Sequence, residues 1–273
     1  MELTGLGFEN YEAFKHLMPD VIFDDYVLGI GAIEDNKAAG VALFNFLGDA
    51  IMLDYIYVAE PFRRKGIATA MIDGIIEQLI VYPVAMHINY SENASDIHEF
   101  VIASGFKIFR DGHAWRVPVK NMIDSAVFNK LIDRTPGHRV VPLKTLTNDE
   151  KVYLKEALNK EDMDPSCIDD RALSSAFSLV TLDNKTGRPI ACVLCEHDKE
   201  TITLSYLVSF SKDMTNLIDL FRALKEACLD SALEDATLTF VTMNDNNLKL
   251  AEKLVGKENL ISDGDVISGI RMI

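Results

Sequence analysis

Apolar positions along the chain switch repeatedly between runs of strand length and stretches at helical spacing. Phe8, Tyr11, Phe14, Leu17 and Met18 recur at helical intervals up to Pro19 and predict a helix. Residues 27–33 and 40–46 are apolar runs around the polar turn Glu34-Asp35-Asn36-Lys37, a predicted hairpin, and Gly48-Asp49 turns into a further strand over 51–58. That strand ends in a polar loop with Pro61. Beyond it Ile67, Ala70, Met71, Ile75, Gln78 and Leu79 fall on one side of a helix, with Ile72 and Ile76 widening the stripe as for a helix packed on a sheet. A strand over 84–89, a helix over 94–103 and closing strands over 107–109 and 114–119 follow.

The pattern breaks after Lys120. Residues 121–134 suit a short helix and Thr135-Pro136-Gly137 a turn, so 121–138 reads as a linker between domains at 1–120 and 139–273. The chain then starts again: a strand over 139–143, a capping-box pattern Thr147-Asn148-Asp149-Glu150 before a helical stretch over 152–158, and a hairpin of 176–182 with 190–195. A strand over 201–208, a helix face at Leu217, Leu220, Phe221, Leu224 and Cys228, a strand over 238–243, a helix over 248–254 and a last strand over 266–272 complete it. These elements recur about 150 residues after their counterparts, which predicts a duplicated fold; a separate α/β domain with coincidental spacing is the alternative.

Composition narrows the partners. A net charge of −15 argues against nucleic acid and anionic membranes and suits an amine acceptor, although a negative surface also keeps proteins soluble. No run of about 18 apolar residues and no basic-then-apolar N-terminus is present, so the expectation is a cytoplasmic protein without a span or signal peptide. Cys167, Cys192, Cys195 and Cys228 all lie in the second half. Within an apolar strand Cys192 and Cys195 face opposite sides, so reduced core cysteines are expected and no metal site.

The candidate chemistry sits where the strand 51–58 meets its helix. Arg63-Arg64-Lys65-Gly66-Ile67-Ala68-Thr69 brings three cations and a glycine to a helix start, whose first NH groups and dipole favour an anion. A solvated βα turn is the plain alternative. A P-loop is excluded because Gly-Lys-Ser/Thr is missing. The run Val58-x-x-Pro61-x-Arg63-Arg64-Lys65-Gly66-Ile67-Ala68 resembles the acetyl-CoA loop of the GNAT N-acetyltransferase superfamily, Arg/Gln-x-x-Gly-x-Gly/Ala, with Arg63, Gly66 and Ala68 in its fixed places. Gly105-Phe106 also resembles that superfamily's end to the last helix of the domain.

The resemblance implies an α/β fold with a mixed sheet, the acyl-CoA N-acyltransferase (GNAT) fold, in two tandem GNAT-like domains. It implies acetyl-CoA as co-substrate in the first, with pantetheine contacts from Tyr57 and Val58 and pyrophosphate contacts from Arg63, Arg64, Lys65, Gly66, Ile67, Ala68 and Thr69. The second domain would be degenerate, because Ser209-Phe210-Ser211-Lys212-Asp213-Met214-Thr215 has no glycine, one lysine and an aspartate where the loop would recur. The implied activity is acetyl transfer to a small amine, an amino acid or a protein amine, and a homodimer is compatible with it. A non-catalytic acyl-CoA sensor or assembly protein is the alternative, since Val101 stands where the family often has a tyrosine that protonates the leaving thiolate.

Acetyl transfer to an amine calls for a base and tolerates a weak acid, because a thiol pKa near 8.5 makes thiolate a fair leaving group. Asp54 is the first candidate base: plain alternation puts it on the face of Met52, Ile56 and Val58, though a carboxylate paired with a lysine reads equally well. Tyr90 or water is the candidate acid. Glu60, His87, Asn89 and Trp115 have structural readings at least as good as functional ones.

Overall fold

The structure is a computed structural model that describes residues 1–19, 28–47, 50–78, 84–213 and 215–273. Val27, the turn Gly48-Asp49, Leu79 and Met214, all of them in elements expected from the sequence, lie outside the described residues. The chain forms two compact units, one of residues 1–111 with 265–273 and one of residues 112–264.

In the first unit β1 (Glu2–Gly5) precedes α1 (Tyr11–Phe14), which continues as a 3-10 turn to Leu17. β2 (Leu28–Glu34) and β3 (Lys37–Leu47) form a hairpin whose two central residues, Asp35 and Asn36, have φ of 52° and 58°. Two positive φ values in a two-residue loop match the right-handed twist of the flanking strands, and Asn and Asp tolerate them. β4 (Ala50–Val58), α2 (Ile67–Gln78), β5 (Ala85–Ser91), α3 (Ser95–Ala103) and β6 (Lys107–Pro118) follow. The strand order is β1-β2-β3-β4-β5-β12-β6, where β12 (Ile261–Met272) is the last strand of the chain.

Two features depart from the expected boundaries. β6 is one strand rather than two short ones, and the chain passes between units inside it, after Asp111. The segment expected as a linker forms α4 (Val119–Asp124) and α5 (Ala126–Ile132), which bury Val119, Met122, Phe128 and Ile132 in the second unit's core. Ser125 separates them because its side chain accepts from the Phe128 amide and so starts a new helix. The last strand divides too: residues 265–273 belong to the first unit, where Val266 to Met272 pair antiparallel with β5.

The second unit adds β7 (Arg139–Pro142), α6 (Asn148–Lys160), β8 (Leu179–Leu182), β9 (Pro189–Asp198), β10 (Thr201–Ser209), α7 (Thr215–Asp230), β11 (Thr237–Thr242) and α8 (Asp245–Val255). Its strands run β6-β11-β10-β9-β8-β7. Thr147 caps α6 in a capping box with Glu150, as the sequence pattern predicts.

Within each unit the strands bury both faces. In the first unit Ile30, Ala42, Phe44, Ile51 and Leu53 pack with Ile67, Met71, Ile72 and Ile75 of α2, while Val41, Leu43, Tyr55 and Tyr57 pack on the other face with Phe14 and Leu17. A fully buried aliphatic side chain of this size contributes on the order of 1.5–3 kcal/mol, so these two clusters hold the unit together. In the second unit Val193, Cys195 and Ile202 pack with α7, and Cys192 and Leu194 pack with Leu154 and Leu158 of α6. The cysteine pair thus splits between opposite faces of β9, and burial pushes the Cys192 thiol up to about 12.

Candidate active site

The site forms where two parallel strands stop pairing. β4 and β5 are joined at Ala50↔Ala85, Ile51↔Met86 and Met52↔His87 and no further, although β4 continues to Val58 and β5 to Ser91. Beyond Met52 the facing edges are open to each other. β4 remains fixed on its other side, where it pairs with β3 as far as Gly40↔Val58.

That β3 pairing contains a bulge. Leu43 faces Tyr55 and Phe44 faces Leu53, so Asp54 is the extra residue. An extra residue reverses the alternation. Ile51 and Leu53 before the bulge share a cluster with Ile56 and Val58 after it, whereas Tyr55 and Tyr57 lie on the α1 face. Asp54 therefore does not share a face with Ile56 and Val58, contrary to plain alternation. It meets Asn45 of β3, whose Nδ2 donates to Asp54 Oδ2 at 2.8 Å. Part of Asp54 reaches solvent, but the protein around its carboxyl removes enough hydration to push the pKa up to about 6, against the lowering by Asn45.

The loop after β4 leads into the start of α2. Arg64 and Gly66 have φ of 60° and 78°, and the Gly66 carbonyl accepts the Ala70 amide at 2.9 Å. Nothing lies within 4 Å of where a Cβ on Gly66 would stand, so the approach to the backbone is open. The amides of residues 67–69 precede the helical ladder and face the same end. The Ile67 side chain is buried under the sheet, which leaves its amide as the group it can offer, while Thr69 is exposed. These features fit an anion at the start of a twelve-residue helix.

The three cations are not equivalent. Arg63 turns back on β4, where its Nε donates to the Val58 carbonyl at 2.9 Å and its guanidinium lies 5.5 Å from the Tyr57 ring centre. The guanidinium thus fastens the loop to the strand. Arg64 pairs with Glu99 at 3.3 Å with both side chains largely exposed, a pair that costs little to break, and Lys65 lies 5.2 Å from the Phe62 ring centre.

Tyr90 is buried on β5, three residues past the last β4 pair, and its hydroxyl is 2.9 Å from His98 Nδ1 of α3. Burial raises its pKa. Val101, one turn along α3 from His98, is fully buried. The remaining sequence candidates fall elsewhere. Glu60 is exposed in a 3-10 turn, His87 sits in the β4 and β12 pairings, Asn89 Oδ1 accepts from Ser268 Oγ at 2.7 Å, and Trp115 lies in the second unit with Nε1 donating to Thr242 Oγ1 at 3.0 Å. Sequence reasoning missed Asn45 and His98. The signal for Asn45 was a lone amide in the apolar run Val41 to Leu47; His98 had none, being an ordinary polar residue on an amphipathic helix.

The second unit repeats this geometry with different chemistry. β10 and β11 are parallel from Thr201↔Thr237 to Leu204↔Phe240 and then stop, and β10 bulges at Ser205 between Cys195↔Leu204 and Leu194↔Tyr206. The bulges lie 151 positions apart (205 against 54). The hydrogen-bonded pair at the same rung is now Ser205 Oγ donating to Glu196 Oε1 at 2.7 Å, with the carboxylate moved to the neighbouring strand. At the start of α7 the Asp213 carboxylate accepts from the Thr215 amide at 2.9 Å and its hydroxyl at 2.7 Å. An internal carboxylate thus stands where the first unit leaves its helix start open.

Residues 5–90 match the model of the acetyltransferase (GNAT) family, so the first unit carries a GNAT acetyltransferase domain. Among solved structures, a tandem GNAT protein from the clavulanic acid biosynthesis pathway, without AcCoA, aligns with a TM-score of 0.67 at 11% identity over 90% of this chain and 82% of that one. A GCN5-related glucosamine N-acetyltransferase region of a fungal multi-domain GH3 β-N-acetylglucosaminidase aligns at 0.68 and 10% identity over 99% of this chain and 38% of that one. A GCN5-related N-acetyltransferase from Sphaerobacter thermophilus aligns at 0.57 and 10% identity, over 93% and 82%. At these identities the likeness is one of fold, here of GNAT type. No curated protein matches the sequence.

Proposed function

We propose that the GNAT domain of residues 5–90, completed by its unit, transfers an acetyl group from acetyl-CoA to an amine. The observation that carries this reading is the end of β4 and β5 pairing at Met52↔His87 beside the open helix start at Gly66. An extended amide-bearing arm can lie along the free edge of β4 past Tyr57 and Val58 while its pyrophosphate meets the amides of residues 67–69. Arg64 and Lys65 supply charge there, and Arg63 holds the loop in place through Val58. No group of three or more His, Cys, Asp or Glu side chains among the described residues is arranged for a metal, and the reading assigns none a role.

In the reaction the amine nitrogen attacks the thioester carbonyl, the C–S bond breaks with its electrons on sulfur, and the nitrogen loses a proton. Asp54 is assigned as the base. With a pKa near 6 it is ionised at neutral pH yet more basic than an ordinary aspartate, and Asn45 orients it. Tyr90 is assigned as the donor to sulfur, in place of the tyrosine that Val101 replaces. Holding the reactants together supplies a further part of the barrier reduction.

The test is calorimetry with acetyl-CoA followed by release of coenzyme thiol in the presence of a panel of primary amines. Saturable binding with amine-dependent thiol release is expected. Binding without release for any amine would favour the sensor reading that Val101 motivates, and absence of binding would remove both. No helix among the described residues is long and apolar enough to cross a membrane.

A further inference from the structure

We infer that His98 is a positioning residue that aims the Tyr90 hydroxyl at the departing sulfur, an assignment that rests on the acetyl-transfer reading above. Among the described residues the Tyr90 hydroxyl has one hydrogen-bond partner, His98 Nδ1 at 2.9 Å, and the two rings meet edge to face with centres 5.9 Å apart. Tyr90 is buried and belongs to the same apolar cluster as Ile88 of its own strand and Val101 and Phe106, where a hydroxyl would be costly without a partner. The pair lies past the end of the β4 and β5 pairing, on β5 and on the helix that faces it.

The direction of this hydrogen bond decides what the phenol can do. If Nδ1 accepts, the single phenolic hydrogen is consumed by the imidazole. If Nδ1 carries the hydrogen and donates to the phenolic oxygen, the phenolic hydrogen is free to point elsewhere. The structure assigns the second arrangement a function. As the C–S bond breaks and sulfur takes the electron pair, the phenolic O–H bond breaks and an S–H bond forms, and the phenolate left behind keeps the Nδ1–H donor. The proton Asp54 has taken from the amine and the one Tyr90 has given up are then exchanged with solvent, which restores both groups. One turn along α3 from His98 stands Val101, so the histidine and Tyr90 together would serve the function that a tyrosine at that place would serve alone.

Three single variants, one double variant and one spectrum test this. Tyr90→Phe is expected to lower kcat by about 10²-fold, the lower range for loss of a general acid, with the Kd for acetyl-CoA unchanged. His98→Ala is expected to lower kcat by about tenfold, again with unchanged Kd, and to have almost no further effect in the Tyr90→Phe background. His98→Asn, whose amide nitrogen can take the place of Nδ1 as donor, is expected to recover most of the loss. The ¹⁵N shift of His98 Nδ1 in the wild-type protein should report a protonated nitrogen. An unprotonated Nδ1, full kcat in folded His98→Ala, or equal losses in His98→Ala and His98→Asn would overturn the assignment while leaving acetyl transfer intact. A wild type that releases no thiol with any amine removes the transfer reading and this assignment with it.

Discussion

Asn45 Nδ2 donates to Asp54 Oδ2 at 2.8 Å across the bulge of β4, so an amide orients the carboxylate while its surroundings hold its pKa near 6. The ordinary value is 3.8, so the folded state retains a proton that the unfolded chain has already released. Stability from this group is full below the ordinary value and is lost as pH rises through about 6. Asp54→Asn should therefore gain on the wild type in denaturation midpoint between about pH 4 and 7. Midpoints that run parallel across that window would show the shift to be absent. In turnover the same variant should lose about 10²-fold at neutral pH, less at alkaline pH where the free amine is abundant, with coenzyme affinity kept. An unchanged rate profile would exclude Asp54 as the base.

The open space at Gly66 separates two effects of substitution. Gly66→Ala meets no neighbour but must adopt a φ of 78°, a cost on the order of 1 kcal/mol that should appear as a small loss of stability. Gly66→Glu adds a negative charge where a polyanion would sit, and should abolish acetyl-CoA binding measured by calorimetry while the fold persists. Undiminished affinity in folded Gly66→Glu would withdraw the functional reading. Arg63→Ala should weaken binding by about 1 kcal/mol, through loss of the bond to Val58 that holds the loop.

The second unit should bind no coenzyme, because Asp213 already serves the first amide and hydroxyl of α7. Its carboxyl lies below the ordinary 3.8, the Thr215 amide being the chief cause, so its contribution is present above that pH and is lost on acidification through its lowered value. Titration should return one acetyl-CoA per chain. Two equivalent sites would contradict this assignment.

Gly269 tests how tightly β12 is seated in the first unit. A Cβ there would come within 2.9 Å of Ile88 Cγ2 and 3.1 Å of Val101 Cγ1. Gly269→Ala is expected to cost on the order of 1–3 kcal/mol through overpacking, read by chemical denaturation. A neutral substitution would mean that the core shifts readily around β5 and α3.

The strand, loop and helix from Ala50 to Gln78 were legible in the sequence because their determinants are local: a β-branched run, a glycine at positive φ and an apolar stripe. The repeat was legible for the same reason, since both halves carry the same order of local signals. The face of Asp54 was not, because one extra residue in β4 inverts the alternation and is set by pairing with β3. The orientation of Arg63 depended on a strand carbonyl five residues earlier in the chain, and the Tyr90 and His98 contact on how α3 is set against β5. The assignment of residues 265–273 was the least legible: their partner strand β5 is separated from them by the entire second unit, and nothing in Val266 to Met272 specifies which unit they join.

That last strand also imposes an order in time. A ribosome delivers residues 1–111 long before residues 265–273, so during synthesis the partner that pairs with β5 along Val266 to Met272 is made only after the second unit. Domains usually fold as units, N-terminal first, but here the first unit includes a strand that is made only after the whole of the second. Through that interval the exposed edge of β5 is a template for wrong partners, including the same edge on a neighbouring nascent chain. Arrival of the final strand closes the edge, so a chain interrupted anywhere in the second unit leaves the first incomplete as well.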